Sequence, residues 1–256
     1  MTSSSQQSLP GTRPDGVRDE AEAAARVQEM FGRIAPRYDL LNHLLSLDVD
    51  KIWRRRVARN FSTILHNPNA RVLDLCCGTG DLAFALRREA AAGAEIIGSD
   101  FVPEMLLRAR AKATAAGVTI EFLEADALHL PFADASFDLV TCAFGFSNLA
   151  NYERGLKEIL RVLKPGGAAG ILEFAEPSGK VFGAVYRFYF RHILPRLGAL
   201  ISGNSSAYTY LPNSVSKFPP PEDLKAQFEH AGFVEVGFAR WTGGIVTLHD
   251  GHKTSS

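Results

Sequence analysis

Residues Arg71 to Asp81 read RVLDLCCGTGD, and Asp100 follows at the end of the segment IIGSD. The first five residues form a short apolar run typical of a strand, and Cys76–Gly80 is a turn of small residues. From Asp81 onward the sequence has helical spacing. A strand that enters a helix through a glycine turn lets a ligand approach bare backbone. Because a carboxylate at Asp100 can hold both hydroxyls of a ribose, this pattern predicts a nucleoside-cofactor site.

Two kinds of cofactor fit such a site. The spacing of Gly78, Gly80 and Ala83 also satisfies the loose dinucleotide pattern, so a dinucleotide enzyme is one alternative. Asp74, inside the strand ahead of the glycines, would repel a pyrophosphate but can receive an ammonium group. The acidic turn Glu124–Ala127 can accept the amino group of an adenine. These features favour S-adenosylmethionine (SAM) as the cofactor.

Strand and helix patterns alternate along the centre of the chain, which is typical of a parallel, doubly wound sheet. The segment LKPGG at Leu163–Gly167 indicates a helix end, a turn and a strand start. This order of signals is typical of class I methyltransferases. The predicted strands are 71–75, 95–99, 120–124, 137–143, 168–175, 233–240 and 244–249, and the predicted helices are 80–91, 103–116, 152–163 and 222–231. We therefore predict an α/β, class I SAM-dependent methyltransferase fold: a seven-stranded, mostly parallel sheet with a C-terminal antiparallel hairpin.

Composition narrows the classes of protein. The 256 residues are 46% hydrophobic, and 28 basic residues balance 28 acidic ones, so no overall charge favours nucleic acid as a partner. No apolar run approaches the roughly 18 residues of a membrane span. The three cysteines lack a metal-binding spacing, so we expect no metal site and a cytoplasmic protein. We predict a disordered tail (1–20) and a single domain (21–256) with N-terminal helices (21–60) and a substrate-lid insertion (178–221).

Two long blocks carry a resemblance to a known family. They read FGRIAPRYDLLNHLLSLDVDKIWRRR at Phe31–Arg56 and RVLKPGGAAGILEFAEP at Arg161–Pro177, and the later stretches Ser206–Pro219 and Thr242–Lys253 are similar to it as well. The chain resembles the quinone-pathway C-methyltransferases of menaquinone and ubiquinone biosynthesis. The resemblance implies methyl transfer from SAM to a polyprenylated quinol, with demethylmenaquinol the expected acceptor and a benzoquinol left open.

The candidate site residues come from the motifs and from this resemblance. Tyr38 and Asn148 are expected to contact the acceptor hydroxyl, although Tyr38 could instead pack the N-terminal helices and Asn148 could cap the helix 152–163. Asp39, beside Tyr38, fits either a helix start or a site role. The expected cofactor-binding residues are Asp74, Gly78, Thr79, Gly80, Asp100, Asp126, Ala127 and Ala143.

One position departs from the family pattern. Where the family typically has arginine in the sequence Phe-Gly-Leu/Phe-Arg-Asn, this chain has Ser147 within Phe144–Asn148. Serine cannot supply the fixed positive charge that would stabilise a developing phenolate. Ser147 is still a candidate catalytic residue, but two alternatives stay open: a catalytically impaired SAM-binding paralogue that acts as a partner or scaffold, and a methyltransferase for another lipophilic small molecule.

Gly183–Leu200 mixes aromatic residues with arginines. This pattern is typical of a lid packed over the sheet and also of a helix lying at a membrane surface. We favour the lid, and peripheral contact with the inner face of the membrane stays open as a compatible alternative. The arginines Arg54–Arg56 and Arg59 indicate a solvated helix face, and His249 indicates a structural role. The sequence leaves a homodimer open.

Overall fold

The computed structural model describes residues 11–12, 17, 19–39, 46, 48–175, 177 and 218–255. Its strands are β1 Arg71–Leu75, β2 Glu95–Asp100, β3 Glu121–Glu124, β4 Phe137–Ala143, β5 Leu163–Phe174, β6 Val234–Trp241 and β7 Val246–His252. They form one seven-stranded sheet in the order β3-β2-β1-β4-β5-β7-β6. The carboxyl ends of the neighbouring strands β1 to β4 therefore lie at one edge of the sheet. Several of the candidate site residues lie at or just after these strand ends.

The described helices are α1 Glu20–Ile34, α2 Val49–Asn60, α3 Ser62–Leu65, α4 Asp81–Glu89, α5 Pro103–Ala116, α6 Tyr152–Val162 and α7 Pro221–Ala231, with short 3-10 turns at Ala35–Arg37, Phe146–Asn148 and Thr242–Gly244. Local sequence sets several of these bounds. Pro103 occupies the first turn of α5, and Gly117 ends that helix with φ +62°. The side chain of Asn151 caps α6 by accepting from the Arg154 N–H at 3.1 Å.

The pairing of the strands confirms the predicted sheet. β1 pairs in parallel with β2 and with β4, β2 with β3, and β4 with β5. β7 runs antiparallel to both β5 and β6 and so makes the predicted closing hairpin. The order reverses between β1 and β4, and such a switch point leaves a crevice beyond the carboxyl ends of the strands.

Apolar layers cover both faces of the sheet. In β1, Leu73 and Leu75 join a layer that includes Phe137 and Phe228, whereas Val72 joins the opposite layer with Trp53. A parallel strand buried on both faces reads as a nearly continuous apolar run, which explains the pattern of this strand. Because both faces of β1 are buried, the strand is held in place, and so is the start of the glycine turn that follows it.

The predicted turn at Leu163–Gly167 is wrong. β5 already begins at Leu163, which pairs with Phe137, and the next pair joins Leu139 to Ala168. The extra residues between the two pairs form an irregularity within the strand, where Gly166 has φ +75°. Proline and glycine therefore interrupt the ladder here without ending the strand.

The structure describes part of the predicted N-terminal tail and only the last residues of the predicted lid. Thr12, within the predicted tail, is 5% exposed, and its N–H donates to the Leu149 carbonyl at 2.7 Å, so this residue packs against the domain. Residues 1–10, 13–16 and 18 of the tail, and 178–217 of the predicted lid, lie outside the described residues. None of the helices that the structure describes is long and apolar enough to cross a membrane.

Candidate active site

A pocket lies beside the switch point of the sheet. α1, the segment after it and the carboxyl ends of β1 to β4 supply its walls. The predicted site residues that line it are Tyr38, Gly78, Asp100, Asp126, Ala127 and Asn148, and those that do not are Asp74, Thr79, Gly80, Ala143 and Ser147.

Asp100 ends β2 and holds two loops together. One carboxylate oxygen accepts from the Gly78 N–H at 2.8 Å, and the other accepts from the Val102 N–H at 2.9 Å. Burial raises the pKa of Asp100 to about 6, although these backbone hydrogen bonds oppose the rise. The carboxylate thus lies in the wall of the pocket with a fixed orientation, as ribose recognition requires.

The glycines of the turn have separate tasks. Gly78 has φ +56° and lines the pocket, so a ligand can approach its backbone. Gly80 has φ +87°, and a Cβ there would lie 2.9 Å from the Phe122 ring. Gly80 is therefore needed for packing beneath the turn. Ala143, at the end of β4, pairs with Leu172 in the sheet.

Asp74 is fully buried in β1 behind the turn. Its Oδ1 accepts from the Thr141 hydroxyl at 3.2 Å, whereas its Oδ2 has no hydrogen-bond partner. Desolvation raises the pKa of Asp74 to about 7. A buried carboxylate oxygen left without a donor fits a nearby cationic group, and SAM carries both an ammonium and a sulfonium. The buried acids Asp74 and Asp100 therefore suit a positively charged cofactor.

The turn after β3 forms another part of the wall. Asp126 Oδ1 accepts from the Leu128 N–H at 2.9 Å, and Ala127 is 5% exposed. The Asp126 side chain remains 55% exposed, so it can also accept from a ligand. The predicted acidic turn is thus placed at the pocket, opposite the glycine turn.

Tyr38 and Asn148 also line the pocket. The Tyr38 ring makes an edge contact with Phe31 of α1 at a centroid distance of 6.1 Å, so it also packs the N-terminal helix. Asn148 Nδ2 is 3.5 Å from the Phe144 carbonyl that it approaches as a donor. Capping of α6 belongs to Asn151, so the alternative capping role of Asn148 is wrong.

Ser147 lies outside the pocket because Glu173 of β5 engages it. The Ser147 N–H donates to Glu173 Oε1 at 2.9 Å. Glu173 is 2% exposed, and burial raises its pKa to about 7. Sequence reasoning missed this residue, although a lone glutamate inside the apolar strand ILEF was a signal for it.

Arg54 corrects the predicted solvated helix face. It is 7% exposed, forms an ion pair with Asp50 one helical turn earlier, and places its guanidinium 5.4 Å from the centre of the Phe144 ring. Arg55, Arg56 and Arg59 are exposed as predicted. A buried guanidinium therefore stands behind an aromatic residue of the pocket.

Thr79 is 2% exposed and faces the segment that follows α1. Its hydroxyl donates to Asp39, and Lys112 of α5 donates to both of these residues. Asp39 therefore binds the glycine turn. His249 has the predicted structural position: its Nε2 lies 2.9 Å from the Pro221 carbonyl, and desolvation lowers its pKa to about 4.

Comparisons with known proteins give a consistent result. A family model described as the ubiE/COQ5 methyltransferase family matches residues 19–253. A demethylmenaquinone methyltransferase of Deinococcus radiodurans is 54% identical over 237 residues, which are 93% of this chain and 96% of the relative. A protein of the same name from Thermus thermophilus is 54% identical over 224 residues, which are 88% of this chain and 100% of the relative.

A solved structure of similar fold supports the architecture. A SAM-dependent methyltransferase of Thermotoga maritima aligns with a TM-score of 0.63 at 19% identity, covering 88% of this chain and 99% of that one. At this identity the similarity concerns the fold alone, and it confirms the predicted class I methyltransferase fold. Since the family model spans nearly all of the sequence, the chain belongs to the ubiE/COQ5 methyltransferase family.

Proposed function

We propose that this chain transfers a methyl group from SAM to a ring carbon of demethylmenaquinol. The observation that carries this proposal is the 54% identity, over almost the full length of both chains, to relatives named demethylmenaquinone methyltransferase. The pocket at the switch point, with buried acids in and behind its walls, supports the same reaction.

The cofactor supplies a methyl group activated by a positively charged sulfur. In our proposal Asp100 holds the ribose hydroxyls, Gly78 offers its backbone, and the Asp126–Ala127 turn holds the adenine. Asp74 compensates the ammonium group from behind the turn, where its Oδ2 has no other donor. Binding a cation beside these acids also favours their ionised forms, because the opposite charge offsets the cost of burial.

The acceptor needs an electron-rich carbon in line with the methyl group. Ionising the neighbouring hydroxyl raises the electron density of that carbon, so the protein must orient the ring, provide a route for the proton and exclude water. We assign the orientation of the hydroxyl to Tyr38 and Asn148, which both line the pocket. We further propose that the enzyme meets its polyprenylated substrate from the cytoplasm, at the inner face of the membrane.

A second candidate function rests on Ser147. The family arginine is absent, and Ser147, whose N–H donates to Glu173, does not line the pocket, so this position supplies no positive charge to the acceptor anion. This observation favours a SAM-binding protein that does not methylate a quinol and serves as a partner or scaffold. A methyltransferase acting on another lipophilic molecule remains the third candidate.

One experiment separates these candidates. Transfer of labelled methyl from SAM to a short-chain demethylmenaquinol is measured under reducing conditions for the wild type, Ser147→Arg and Asn148→Ala. We expect turnover by the wild type and a loss in Asn148→Ala. Cofactor binding by the wild type without turnover of demethylmenaquinol would contradict the proposal. The scaffold then predicts no turnover of any acceptor, whereas the third candidate predicts turnover of a different lipophilic acceptor. Activity gained only in Ser147→Arg would identify the missing charge as the cause.

A further inference from the structure

Four polar groups from distant parts of the chain meet beside the glycine turn. The Lys112 ammonium of α5 lies 2.6 Å from Asp81 Oδ1, 3.0 Å from Asp39 Oδ2 and 3.2 Å from the Thr79 hydroxyl oxygen. Thr79 also donates its hydroxyl hydrogen to Asp39. We call these four residues the Lys112 clamp. It connects the segment after α1, the glycine turn, the start of α4 and the middle of α5.

The charges of the clamp depend on its lysine. Two carboxylates, Asp39 and Asp81, share one ammonium group, and Asp81 also lies in the first turn of α4, where the helix dipole favours an anion. The side chains of Lys112, Asp39 and Asp81 are 33%, 32% and 18% exposed. Their partial burial makes the pairs stronger than fully exposed ones. Without the lysine, the two carboxylates would repel each other.

The hydroxyl of Thr79 belongs to the clamp. It donates to Asp39 and accepts from Lys112, and the residue is 2% exposed and does not line the pocket. A cofactor in the pocket would therefore meet the backbone of the turn at Gly78, while the Thr79 side chain points to the N-terminal segment. This arrangement gives the threonine a task that cofactor binding alone does not explain.

The clamp lies next to Tyr38, which lines the pocket. Tyr38 directly precedes Asp39, and its ring lies 3.8 Å from the place a Cβ on Gly78 would occupy. Ala35, Val102 and Met105 form an apolar cluster against which Phe31 and Tyr38 pack, so this cluster holds the same segment. The clamp adds charged and hydrogen-bonded contacts to this apolar attachment.

We propose that Lys112 is a positioning residue that bridges Asp39 and Asp81 and thereby holds Tyr38 over the cofactor-binding turn. The proposal rests on the proposed function only in assigning Tyr38 to the acceptor. Lys112 itself does not line the pocket, so it acts through the segment that it holds.

The test compares Lys112→Met with Lys112→Arg and with Lys157→Met. Lys157 is a matched control because it pairs only one turn away with Glu153 on exposed α6 surface. The readouts are the Kd of S-adenosylhomocysteine by calorimetry, the rate of tryptic cleavage at Arg33, and kcat and KM for methyl transfer. The first two readouts do not require turnover, so they judge the clamp even if the proposed function fails.

For Lys112→Met we expect about tenfold weaker binding of S-adenosylhomocysteine, about tenfold faster cleavage at Arg33, and a lower kcat with a higher KM for the quinol. Lys112→Arg should retain most of the wild-type behaviour, because arginine keeps the charge, and Lys157→Met should match the wild type. Wild-type affinity and wild-type protease resistance in folded Lys112→Met would overturn the proposal.

A double variant isolates the charge argument. In Lys112→Met with Asp39→Asn, the repulsion between residues 39 and 81 is gone, so this variant should fold even if the single variant does not. We expect its cleavage rate to lie between those of the wild type and Lys112→Met. Cleavage at the wild-type rate would overturn the clamp, and cleavage no slower than in the single variant would overturn the role of repulsion.

Discussion

The proposed cofactor contacts lie at successive strand ends, whereas the proposed acceptor contacts come from parts of the chain that are far apart. Gly78, Asp100 and the Asp126–Ala127 turn lie at the carboxyl ends of β1, β2 and β3 in order. Of the proposed acceptor contacts, Tyr38 comes from the segment after α1 and Asn148 from the turn after β4. The cofactor contacts depend mainly on strand pairing, with the Lys112 clamp supporting the glycine turn, whereas Tyr38 reaches the pocket only when the N-terminal helices dock on the sheet.

Contacts between the N-terminal helices and the loops beside the pocket indicate which properties each group of variants should change. Gln28 of α1 donates to the Phe101 carbonyl at 2.5 Å, and Arg54 of α2 covers the ring of Phe144. Each contact joins an N-terminal helix to a loop beside the pocket. We therefore expect variants of the strand ends to affect cofactor binding first, and variants of the docking contacts to affect stability and turnover.

The largest effect should come from Asp100→Ala. The substitution removes the proposed ribose acceptor and leaves the N–H groups of Gly78 and Val102 without their partner. We expect S-adenosylhomocysteine to bind roughly 1,000-fold more weakly, equal to about 4 kcal/mol, in calorimetric titration. Glu121→Ala, at an exposed strand position, is the matched control. Unchanged affinity in the Asp100 variant would place the cofactor elsewhere.

Next in size is the effect of Arg54→Met on stability. Removing the guanidinium breaks the buried ion pair with Asp50, which should lower the free energy of unfolding by about 3 kcal/mol in urea titration. Arg56→Met tests the same chemistry at an exposed position, where the guanidinium lies 4.5 Å from the Trp241 ring, and should cost less than about 1 kcal/mol. Equal losses in the two variants would show that burial of Arg54 is unimportant.

Asn148→Ala tests the separation of the two groups of contacts directly. We expect kcat to fall about 30-fold, equal to about 2 kcal/mol, because the acceptor hydroxyl loses a hydrogen-bonding group. The Kd of S-adenosylhomocysteine should change less than about threefold, since Asn148 is a proposed acceptor contact. A parallel loss of cofactor affinity would contradict this division of the pocket.

The smallest effect is a pH dependence of stability. Burial raises the pKa values of Asp74 and Glu173 to about 7 and that of Asp100 to about 6, well above those of the unfolded chain. The folded state therefore takes up protons that the unfolded state does not. The resulting stability is present at low pH and is lost as the pH rises through these values. Between pH 6.5 and pH 8, the ligand-free protein should lose roughly 1–2 kcal/mol.

Two comparisons check the origin of this dependence. Glu173→Gln should roughly halve the loss on the pH 6.5 to 8 interval, because Asp74 keeps its own contribution, whereas exposed Glu121→Gln should leave the loss unchanged. Buried His249 has the opposite sign, because its pKa of about 4 lies below that of the unfolded chain and its contribution is lost as the pH falls from about 6.5. A flat wild-type curve above pH 6.5 would show that the buried acids remain ionised.

The fold was predictable where local signals agree with the sheet. Pro103 and Gly117 mark both ends of α5, so its predicted and observed bounds coincide. The segment at Leu163–Gly167 misled because its proline and glycines normally end a strand, whereas here Leu163 already pairs with Phe137. Strand pairing is a long-range contact, and it overrides the local preference of those residues.

The candidate site was predictable where its residues lie at or just after the end of a strand. Asp100 and Asp126 are predicted from such positions. Lys112 was missed because it meets Asp39 across 73 residues, and no local pattern connects the two. Arg54 was predicted to be solvated because three consecutive arginines suggest an exposed surface, but the helix turns Trp53 and Arg54 together toward the sheet. Roles in catalysis and cofactor binding remain predictions for the experiments above.

The position of β7 has a consequence for synthesis of the protein. Val246–His252 fills the gap between β5 and β6, although both of those strands precede it in the chain. A nascent chain that has left the ribosome as far as Trp241 therefore exposes an unpaired edge of β5. Such an edge can pair with other chains. Completion of the described sheet must wait for β7, so this enzyme closes that sheet after translation of nearly all of the described sequence.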